Sequence, residues 1–213
     1  ISILGTTGIV RPMNEQSVLD SLSLEINTHA VQGRGAVILT FANTGEIALK
    51  KAWGFSESSR CVVQTGNRIG FVLDEIRRLG VARVLIGGHP GKLLKVAAGS
   101  FDTHNRTADG RMEALCTHAA LEGMDLEFIR RLYECMTTEN AIALVGEDGS
   151  LGGRLWKRLA EAVVRRCVDR SFGETEVAAA FIDNKGTILG ESDGVASMVK
   201  DLKLKFEKGG HSR

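Results

Sequence analysis

The stretch VLIGGHPGKLLKVAAGSFDTHNRTADGR, residues 84–111, decides both the fold class and the place of the binding site. Its apolar run at 84–86 predicts a buried strand, Gly87 and Gly88 predict the loop that ends the strand, and a helix is expected to begin near Lys92. In an open α/β sheet, ligands bind beyond the carboxyl ends of the strands, where a helix N-terminus offers unpaired N–H donors. The segment therefore predicts a site for a large, anionic ligand.

The same alternation of strand, loop and helix runs through the first half of the chain. Strands are predicted at residues 1–4, 36–41, 61–64 and 83–86, and the helices that separate them at 12–30, 46–53 and 69–79. Because these strands are almost continuously apolar, we expect a parallel sheet that is covered on both faces. In the second half, helices are predicted at 111–121, 126–136 and 151–168, and a β-hairpin at 176–183 and 187–190.

The expected fold is therefore α/β: a mostly parallel sheet with helices on both faces, extended by a C-terminal β-hairpin. No Pro-rich or Ser-rich linker divides the chain, so residues 1–206 are predicted to form a single α/β domain that binds the ligand, and residues 207–213 a flexible tail. The chain begins without Met and inside a predicted strand, which suggests that it is a fragment whose upstream sequence is missing.

Composition excludes several classes of protein. The 213 residues carry a formal net charge of +1 and no long basic block, so neither nucleic acid nor an anionic membrane is an expected partner. No apolar stretch approaches the length of a membrane span, and the apolar N-terminus lacks a basic region and a cleavage site. The four cysteines form no C-x-x-C pair, which favours free thiols in the cytoplasm over a disulfide framework or a zinc site. No metal site is predicted.

Four glycine-containing loops should meet at one edge of the sheet. They are Gly5-Thr6-Thr7-Gly8, Asn43-Thr44-Gly45, Thr65-Gly66-Asn67, and the run from Gly87 to Lys92. For any one of them, a tight turn that needs glycine is a sufficient explanation. Four such loops at the carboxyl ends of adjacent strands favour a shared pocket.

None of these loops matches a nucleotide-binding fingerprint. In GGHPGKLL, Ile86 stands where the phosphate loop of G-x-x-x-x-G-K-[ST] has its first glycine, and Leu93 stands where that motif has a hydroxyl. Gly5–Gly8 does not follow G-x-G-x-x-G, and the second predicted strand lacks the terminal acidic residue that binds an adenosine ribose, unless Glu46 reaches back to it. ATP hydrolysis and NAD binding are therefore disfavoured.

Ionisable side chains crowd the segment that follows the fourth predicted strand. An isolated His89 or His104 would be a turn residue, but Asp102, Arg106 and Asp109 lie close in sequence, and a carboxylate beside an imidazole can tune it for proton transfer. Lys92 and Lys95 lie within one helical turn. They form either a solvated helix face or a pair that binds carboxylates or phosphates.

Four motifs together resemble the CbiD family of cobalt-precorrin-5B C(1)-methyltransferases. They are ILGTTGIVRPM (3–13), the TGN and IGFVLDE elements within residues 65–75, GGHPGKLLKVAAG (87–99) and DTHNR-x-AD (102–109). The resemblance extends in order along nearly the whole chain. It implies transfer of a methyl group from S-adenosyl-L-methionine to carbon 1 of a cobalt-bearing corrinoid in anaerobic cobalamin biosynthesis. Family members carry a further N-terminal region with a Gly-Tyr-Thr-Thr-Gly-type motif, to which nothing here corresponds.

The resemblance gives the site residues their expected roles. The methyl donor is expected on Gly5, Thr6, Thr7, Gly8, Thr65, Gly66, Asn67, Gly87 and Gly88. The carboxylates of the corrinoid are expected on Lys92, Lys95, Arg106 and Arg111. His89, His104 and Asp102 form the expected catalytic set, and either histidine could manage the proton balance of the methylation.

Two alternatives stay open at this point. The first is a nucleotide-dependent enzyme on the same sheet, and the second is a non-catalytic corrinoid-binding module. The run Asp102-Thr103-His104 lacks the glycine of the D-x-H-x-x-G cobalamin signature, since residue 107 is Thr. A homo-oligomer is compatible with the sequence but is not specified by it.

Overall fold

The computed structural model describes residues 15–32, 35–59, 61–147 and 149–208, and its centre is a five-stranded sheet. The strands are β1 (Ala36–Thr40), β2 (Val62–Gln64), β3 (Arg83–Gly88), β4 (Glu176–Ile182) and β5 (Ile188–Glu191). They lie in the order β2-β1-β3-β4-β5; the first four are parallel to their neighbours, and β5 is antiparallel to β4. The predicted α/β fold with a C-terminal hairpin is confirmed, while the strand predicted at 1–4 lies outside the described residues.

Helices cover both faces of this sheet. They are α1 (Glu15–Gln32), α2 (Asn43–Trp53), α3 (Ile69–Arg78), α4 (Pro90–Ala97), α5 (Arg111–Leu121), α6 (Leu126–Tyr133), α7 (Thr138–Gly146), α8 (Gly149–Arg170) and α9 (Val195–Lys208). Buried side chains of α2 and α9 share one hydrophobic core, and those of the other seven helices share a second, larger core. We call these the small core and the large core. Helices α7 and α9 were not predicted, and α9 continues through two positions of the predicted tail; residues 209–213 lie outside the described part.

Successive side chains of each central strand enter the two cores in alternation. In β1, Val37 and Leu39 enter the large core, and Ala36 and Ile38 enter the small core; all four side chains are fully buried. Successive side chains of a strand point to opposite faces, so a strand covered on both sides must be apolar at every position. The continuous apolar runs in the sequence have this physical cause.

Gly87 and Gly88 are strand residues, and their prediction as loop residues is wrong. They form the end of β3 and pair with Ala180 and Phe181 of β4. A Cβ at Gly87 would lie 2.7 Å from Leu49 Cδ1, and a Cβ at Gly88 would lie 2.8 Å from the ring of Phe41. Here glycine lets neighbouring side chains pack close to the sheet, and it does not break the strand.

The sheet changes its winding direction between β1 and β3. The helix after β1, α2, packs into the small core on one face, whereas the helix after β3, α4, packs into the large core on the other. In open α/β sheets the crevice at such a switch point is the usual place for a ligand. Asn43–Gly45, predicted as a turn, instead forms the first turn of α2, and α4 begins at Pro90, two residues earlier than predicted.

Two further findings concern the cysteines and the membrane. All four cysteines are free, and no disulfide links them. No helix in the described segments combines the length and the apolar composition that a bilayer crossing requires.

Candidate functional site

A cavity of about 340 Å³ opens beyond the carboxyl end of β2, on the face of the large core. Its apolar wall is formed by Val18 and Leu22 of α1, and its remaining walls come from the end of β2, the loop before α3, and the loop between α4 and α5. The other lining residues are Gln64, Thr65, Gly66, Asn67, Arg68, Asp102, His104 and Thr107. We call this space the β2 cavity.

The loop Thr65–Asn67 forms the floor of the β2 cavity, as the sequence predicted for a loop at this edge. The backbone N–H of Thr65 donates to the carbonyl of Thr40 at 2.8 Å and so extends the sheet ladder by one rung. Gly66 then turns the chain at φ 58°, in the left-handed region that glycine adopts at no steric cost, and it is exposed. Asn67 continues into α3 with its side-chain oxygen turned toward the neighbouring loop, where it accepts from Lys92 Nζ.

Asp102 organises the opposite wall. Its Oδ1 accepts from the backbone N–H of His104 at 2.9 Å, and its Oδ2 accepts from Thr107 Oγ1 at 3.0 Å. These two hydrogen bonds, the backbone one first, hold the pKa of the Asp102 carboxyl below its ordinary value. The carboxylate is therefore ionised at neutral pH, and each oxygen keeps a lone pair with which it can accept a hydroxyl from a ligand.

His104 lines the same wall in a defined tautomer. Its Nδ1 accepts from the backbone N–H of Arg106 at 3.2 Å. A ring nitrogen that accepts a hydrogen bond carries no proton, so the proton of the neutral ring is on Nε2. In this arrangement His104 offers a hydrogen-bond donor to a ligand.

Lys92 and Lys95 both tie the wall to helix α4. Lys92 Nζ donates to Asn67 Oδ1 at 2.7 Å and to the carbonyl of Thr103 at 3.0 Å. Lys95 Nζ donates to Asn105 Oδ1 at 2.9 Å and to the same Thr103 carbonyl at 3.4 Å. The Lys95 side chain is only 1% exposed, so it acts on the loop and does not present its ammonium at the surface as predicted. Burial, followed by the charge of Lys95, lowers the pKa of Lys92.

His89 lies apart from the residues that line the β2 cavity. It is the N-cap of α4, where its Nδ1 accepts from the backbone N–H of Gly91 at 3.1 Å. Its Nε2 lies 3.4 Å from Glu139 Oε1. Burial lowers the pKa of His89, against the opposing charges of Glu139 and Asp183. Of the two histidines, either of which was expected to handle protons, His104 lines the β2 cavity and His89 caps α4.

The two predicted substrate arginines also differ in their surroundings. Arg111 makes a bidentate ion pair with Asp109, with both N–O distances at 2.6 Å, and its Nη1 donates to Thr138 Oγ1 at 3.2 Å. Arg106 is exposed, and among the described residues its guanidinium has no hydrogen-bond or ion-pair partner. Arg106 is thus the one of the two that could pair with a ligand without first giving up a protein partner.

The structure therefore brings together part of the predicted site. Thr65, Gly66, Asn67, Asp102 and His104 line one cavity, and Lys92 and Lys95 brace it. Gly5–Gly8 lie outside the described residues. Val18 and Leu22 could not be recognised as lining residues, because an apolar position of a helix looks the same in sequence whether it faces a core or a ligand. Thr107 lies five residues after Asp102, beyond the two-residue span of an Asx turn, so no local signal in the sequence points to it.

Within the described segments no group of three His, Cys, Asp or Glu residues has the geometry to hold a metal ion. The polar groups that line the β2 cavity are instead amides, hydroxyls, an imidazole, a guanidinium and one carboxylate, and they lie beside an apolar wall. Such a lining suits an organic ligand that has both a ring and several hydroxyl groups.

Residues 102–193 match the family model of the CbiD C-terminal domain. The resemblance to the CbiD family is confirmed. Cobalt-precorrin-5B C(1)-methyltransferase of Desulfitobacterium hafniense (strain Y51) is 38% identical over 202 residues, which cover 95% of this chain and 51% of that protein. The protein of the same name from Alkaliphilus metalliredigens (strain QYMF) is 34% identical over 203 residues, which cover 95% of this chain and 53% of that protein.

A third CbiD relative, cobalt-precorrin-5B C(1)-methyltransferase of Salmonella paratyphi A (strain ATCC 9150 / SARB42), is 38% identical over 205 residues, which cover 95% of this chain and 53% of that protein. The chain thus spans about half the length of the curated CbiD relatives that it matches. No solved structure matches it.

Proposed function

We propose that this chain is the donor-binding part of an S-adenosyl-L-methionine-dependent methyltransferase that methylates carbon 1 of cobalt-precorrin-5B in anaerobic cobalamin biosynthesis. The observation that carries the proposal is the similarity, along 95% of the chain, to proteins named for this reaction. The β2 cavity supports it, because its position beyond the strand ends and its lining suit the donor.

The donor, when bound, supplies an electrophilic methyl group on a positively charged sulfur. For such a transfer the protein must align the reacting carbon and exclude water, and it needs to do little covalent chemistry. In the proposal, Val18 and Leu22 provide the apolar surface against which a ring packs, and Gly66 lets the backbone approach closely. Asp102 accepts from hydroxyl groups, and His104 donates from Nε2.

The corrinoid is proposed to lie across the outer wall of the β2 cavity. Its acidic side chains require cations, and Arg106 is exposed and free to pair with a carboxylate. Arg111 could also contribute, but only by sharing or exchanging its ion pair with Asp109. Lys92 is half-buried and adds positive charge behind the same wall. Of the two histidines, His104 is the one that lines the β2 cavity, and we assign proton handling to it. To take up a proton at Nε2, its ring would have to change tautomer and give up the hydrogen bond from Arg106 N–H.

The test is calorimetric titration of the 213-residue chain with S-adenosylhomocysteine, ATP and NAD. We expect S-adenosylhomocysteine to bind with the highest affinity, and Asp102→Ala to weaken it by about tenfold or more, since a hydrogen bond to a charged group is worth about 1.5–3 kcal/mol. Asp169→Ala, at an exposed position of α8, is the matched control and should leave the affinity unchanged.

The same titration, with cobinamide as a fourth ligand, decides between the alternatives. Preference for ATP or NAD would favour a nucleotide-dependent enzyme. Binding of cobinamide without any binding of S-adenosylhomocysteine would favour a corrinoid-binding module. Either result would overturn the proposed donor site.

A further inference from the structure

The loop between α4 and α5, which carries Asp102 and His104 in the wall of the β2 cavity, makes few hydrogen bonds to the rest of the protein. The backbone of its first part is bound at both ends: Gly70 N–H donates to the carbonyl of Phe101 at 3.0 Å, and Thr103 N–H donates to the carbonyl of Asn67 at 3.0 Å. Beyond Thr103 the pattern changes. Residues 104–107 form the tip of the wall, and their side chains are exposed.

The hydrogen bonds of this tip are almost all internal to the loop. Arg106 N–H and Thr107 N–H donate to His104, and Thr107 Oγ1 donates to Asp102. Among the hydrogen bonds of the described residues, the bond from Lys95 Nζ to Asn105 Oδ1 is the one that joins residues 104–107 to an element outside the loop.

Lys95 makes this bond from an unusual position. Its side chain is 1% exposed, and the salt bridges of the described residues do not include it. The ammonium donates to two neutral oxygens, and its charge acts on Asp109 and Lys92 without a direct ion pair. Burying an ammonium group without an ion pair costs free energy, and replacing a buried charged group with an apolar side chain of similar volume is often neutral or stabilising. The folded state therefore retains a charge that packing alone does not require.

We propose that Lys95 is a positioning residue for the donor site: its buried ammonium fixes the loop tip at 104–107, and thereby His104 and Thr107, against the β2 cavity. The inference rests on the proposed function, since it assumes that the β2 cavity holds the donor. It replaces the expectation that Lys95 contacts the carboxylates of the substrate.

One substitution, Lys95→Met, can distinguish a positioning role of Lys95 from a role in stability alone. In a Lys95→Met variant the carbonyl of Thr103 keeps its hydrogen bond from Lys92 Nζ, and Asn105 is exposed to water. No buried polar group is left without a partner, so the free energy of unfolding should stay the same or rise. The loop tip, in contrast, loses its tie to α4.

The experiment measures amide hydrogen exchange at residues 104–107 in the free protein, the urea midpoint, and the affinity for S-adenosylhomocysteine. We expect Lys95→Met to accelerate exchange at the tip at least tenfold and to weaken the affinity about three- to tenfold, with an unchanged or higher urea midpoint. Asn105→Ala should reproduce the faster exchange, and the double variant should be no faster than Lys95→Met alone. Lys200→Met, on the exposed side of α9, should change none of the three.

Each result has a definite meaning. Unchanged exchange at 104–107 in Lys95→Met overturns the positioning role, whatever binds in the cavity. Faster exchange throughout the protein together with a lower midpoint also overturns it, because it would make Lys95 an ordinary structural residue. A wild-type chain that binds no S-adenosylhomocysteine removes the proposed function and the donor part of the inference, while the exchange rates still decide whether Lys95 fixes the loop.

Discussion

His89 is held in one tautomer by the helix that it begins. Its Nδ1 caps the backbone of α4 through Gly91, and Pro90 occupies the first helical position, where a missing N–H has no cost. Protonation of the ring would place a proton on Nδ1 and break this cap. Burial and capping therefore act in the same direction, toward a neutral imidazole in the folded protein.

This geometry predicts a pH dependence of stability that depends on His89. Because its pKa is lower in the folded than in the unfolded chain, the unfolded chain takes up protons first, and stability present above about pH 6.5 is lost as the pH falls through the folded pKa. His89→Asn keeps a good N-cap and removes the titration. We expect its free energy of unfolding, measured in urea between pH 8 and 5, to fall less steeply than that of the wild type.

Burial also lowers the pKa of His29 and His118, so the slope of the variant should shrink and not vanish. An identical slope in both proteins would show that His89 titrates alike in the folded and unfolded chains.

The thiol of Cys167 should be inert in the native protein. The residue is fully buried in the large core, and burial raises its pKa to about 12. Since the thiolate is the reacting species, iodoacetamide at pH 8 should label the partly exposed Cys135 well before Cys167. Peptide mass spectrometry would check the order, and equal labelling of both residues after unfolding is the control. Rapid native labelling of Cys167 would contradict the buried environment.

At the level of residues, the sequence predicted which residues form the loop after β2, but it did not predict the side chains that they contact. Thr65–Asn67 follow a strand, and the strand ends are visible as apolar runs. Gly87 and Gly88 were misassigned because a glycine that ends a strand and a glycine that admits Leu49 and Phe41 look alike in one sequence. The burial of Lys95 was equally hidden, since it depends on a loop that folds back over α4.

Among the elements, β5 and α8 make the closest approach through a glycine. A Cβ at Gly190 would lie 2.5 Å from Trp156 Cβ, 2.7 Å from the carbonyl carbon of Trp156 and 2.8 Å from the backbone nitrogen of Lys157. Backbone atoms inside a long helix cannot move aside as a flexible side chain can. The edge strand is thus fitted directly onto the helix.

We therefore expect Gly190→Ala to lower the free energy of unfolding by about 1–3 kcal/mol through overpacking. Gly153→Ala, in the same helix α8, is the matched control, because a Cβ there meets no heavy atom within 4 Å. That variant should gain roughly 0.5–1 kcal/mol from helix propensity. Urea denaturation measures both, and a neutral Gly190→Ala would show that β5 can move away from α8.

Two helices were not predicted, although the sequence carries a signal for each. Helix α7 is short, but Thr137, whose side chain accepts from Asn140 N–H, marks its start and is a capping signal that the sequence offered. Helix α9 buries Val195, Met198 and Leu202 at spacings of three and four, which is a recognisable helical pattern. Both helices could therefore have been predicted from the sequence. The face of the sheet on which each helix packs could not.

The molecule as a whole has two cores that share one sheet. Strands β1 and β3 place alternate side chains into each core, so neither core can come apart without disturbing the other. The chain has two tryptophans, and each reports on one core: Trp53 lies in the small core and Trp156 in the large core. This distribution allows the coupling of the cores to be measured directly.

We expect one cooperative unfolding transition. In Trp53→Phe, fluorescence follows the large core, and in Trp156→Phe it follows the small core. Within each variant the urea midpoint from fluorescence should coincide with that from circular dichroism, which is the criterion for two-state behaviour. Separate midpoints in either variant would show that one core unfolds while the other persists.

The overall architecture followed from the repeated pattern in the sequence, because continuous apolar strands separated by helices leave few alternatives to a covered parallel sheet. The convergence of the loops was predicted in principle. Of the three predicted loops that the structure describes, Thr65–Asn67 is the one that lines the β2 cavity. Asn43–Gly45 entered α2 and Gly87–Gly88 entered β3, since helix and strand hydrogen bonding extended each element beyond its apolar run.

The described sheet is bounded by its two shortest strands, β2 with three residues and β5 with four. The unpaired N–H and C=O groups of an exposed edge strand can pair with the backbone of another molecule, and a short strand offers few such hydrogen bonds. Beside β2, Glu46 and Lys50 form a largely buried ion pair at 2.6 Å. In the part of the chain that the structure describes, the short border strands thus disfavour edge-to-edge association at high protein concentration.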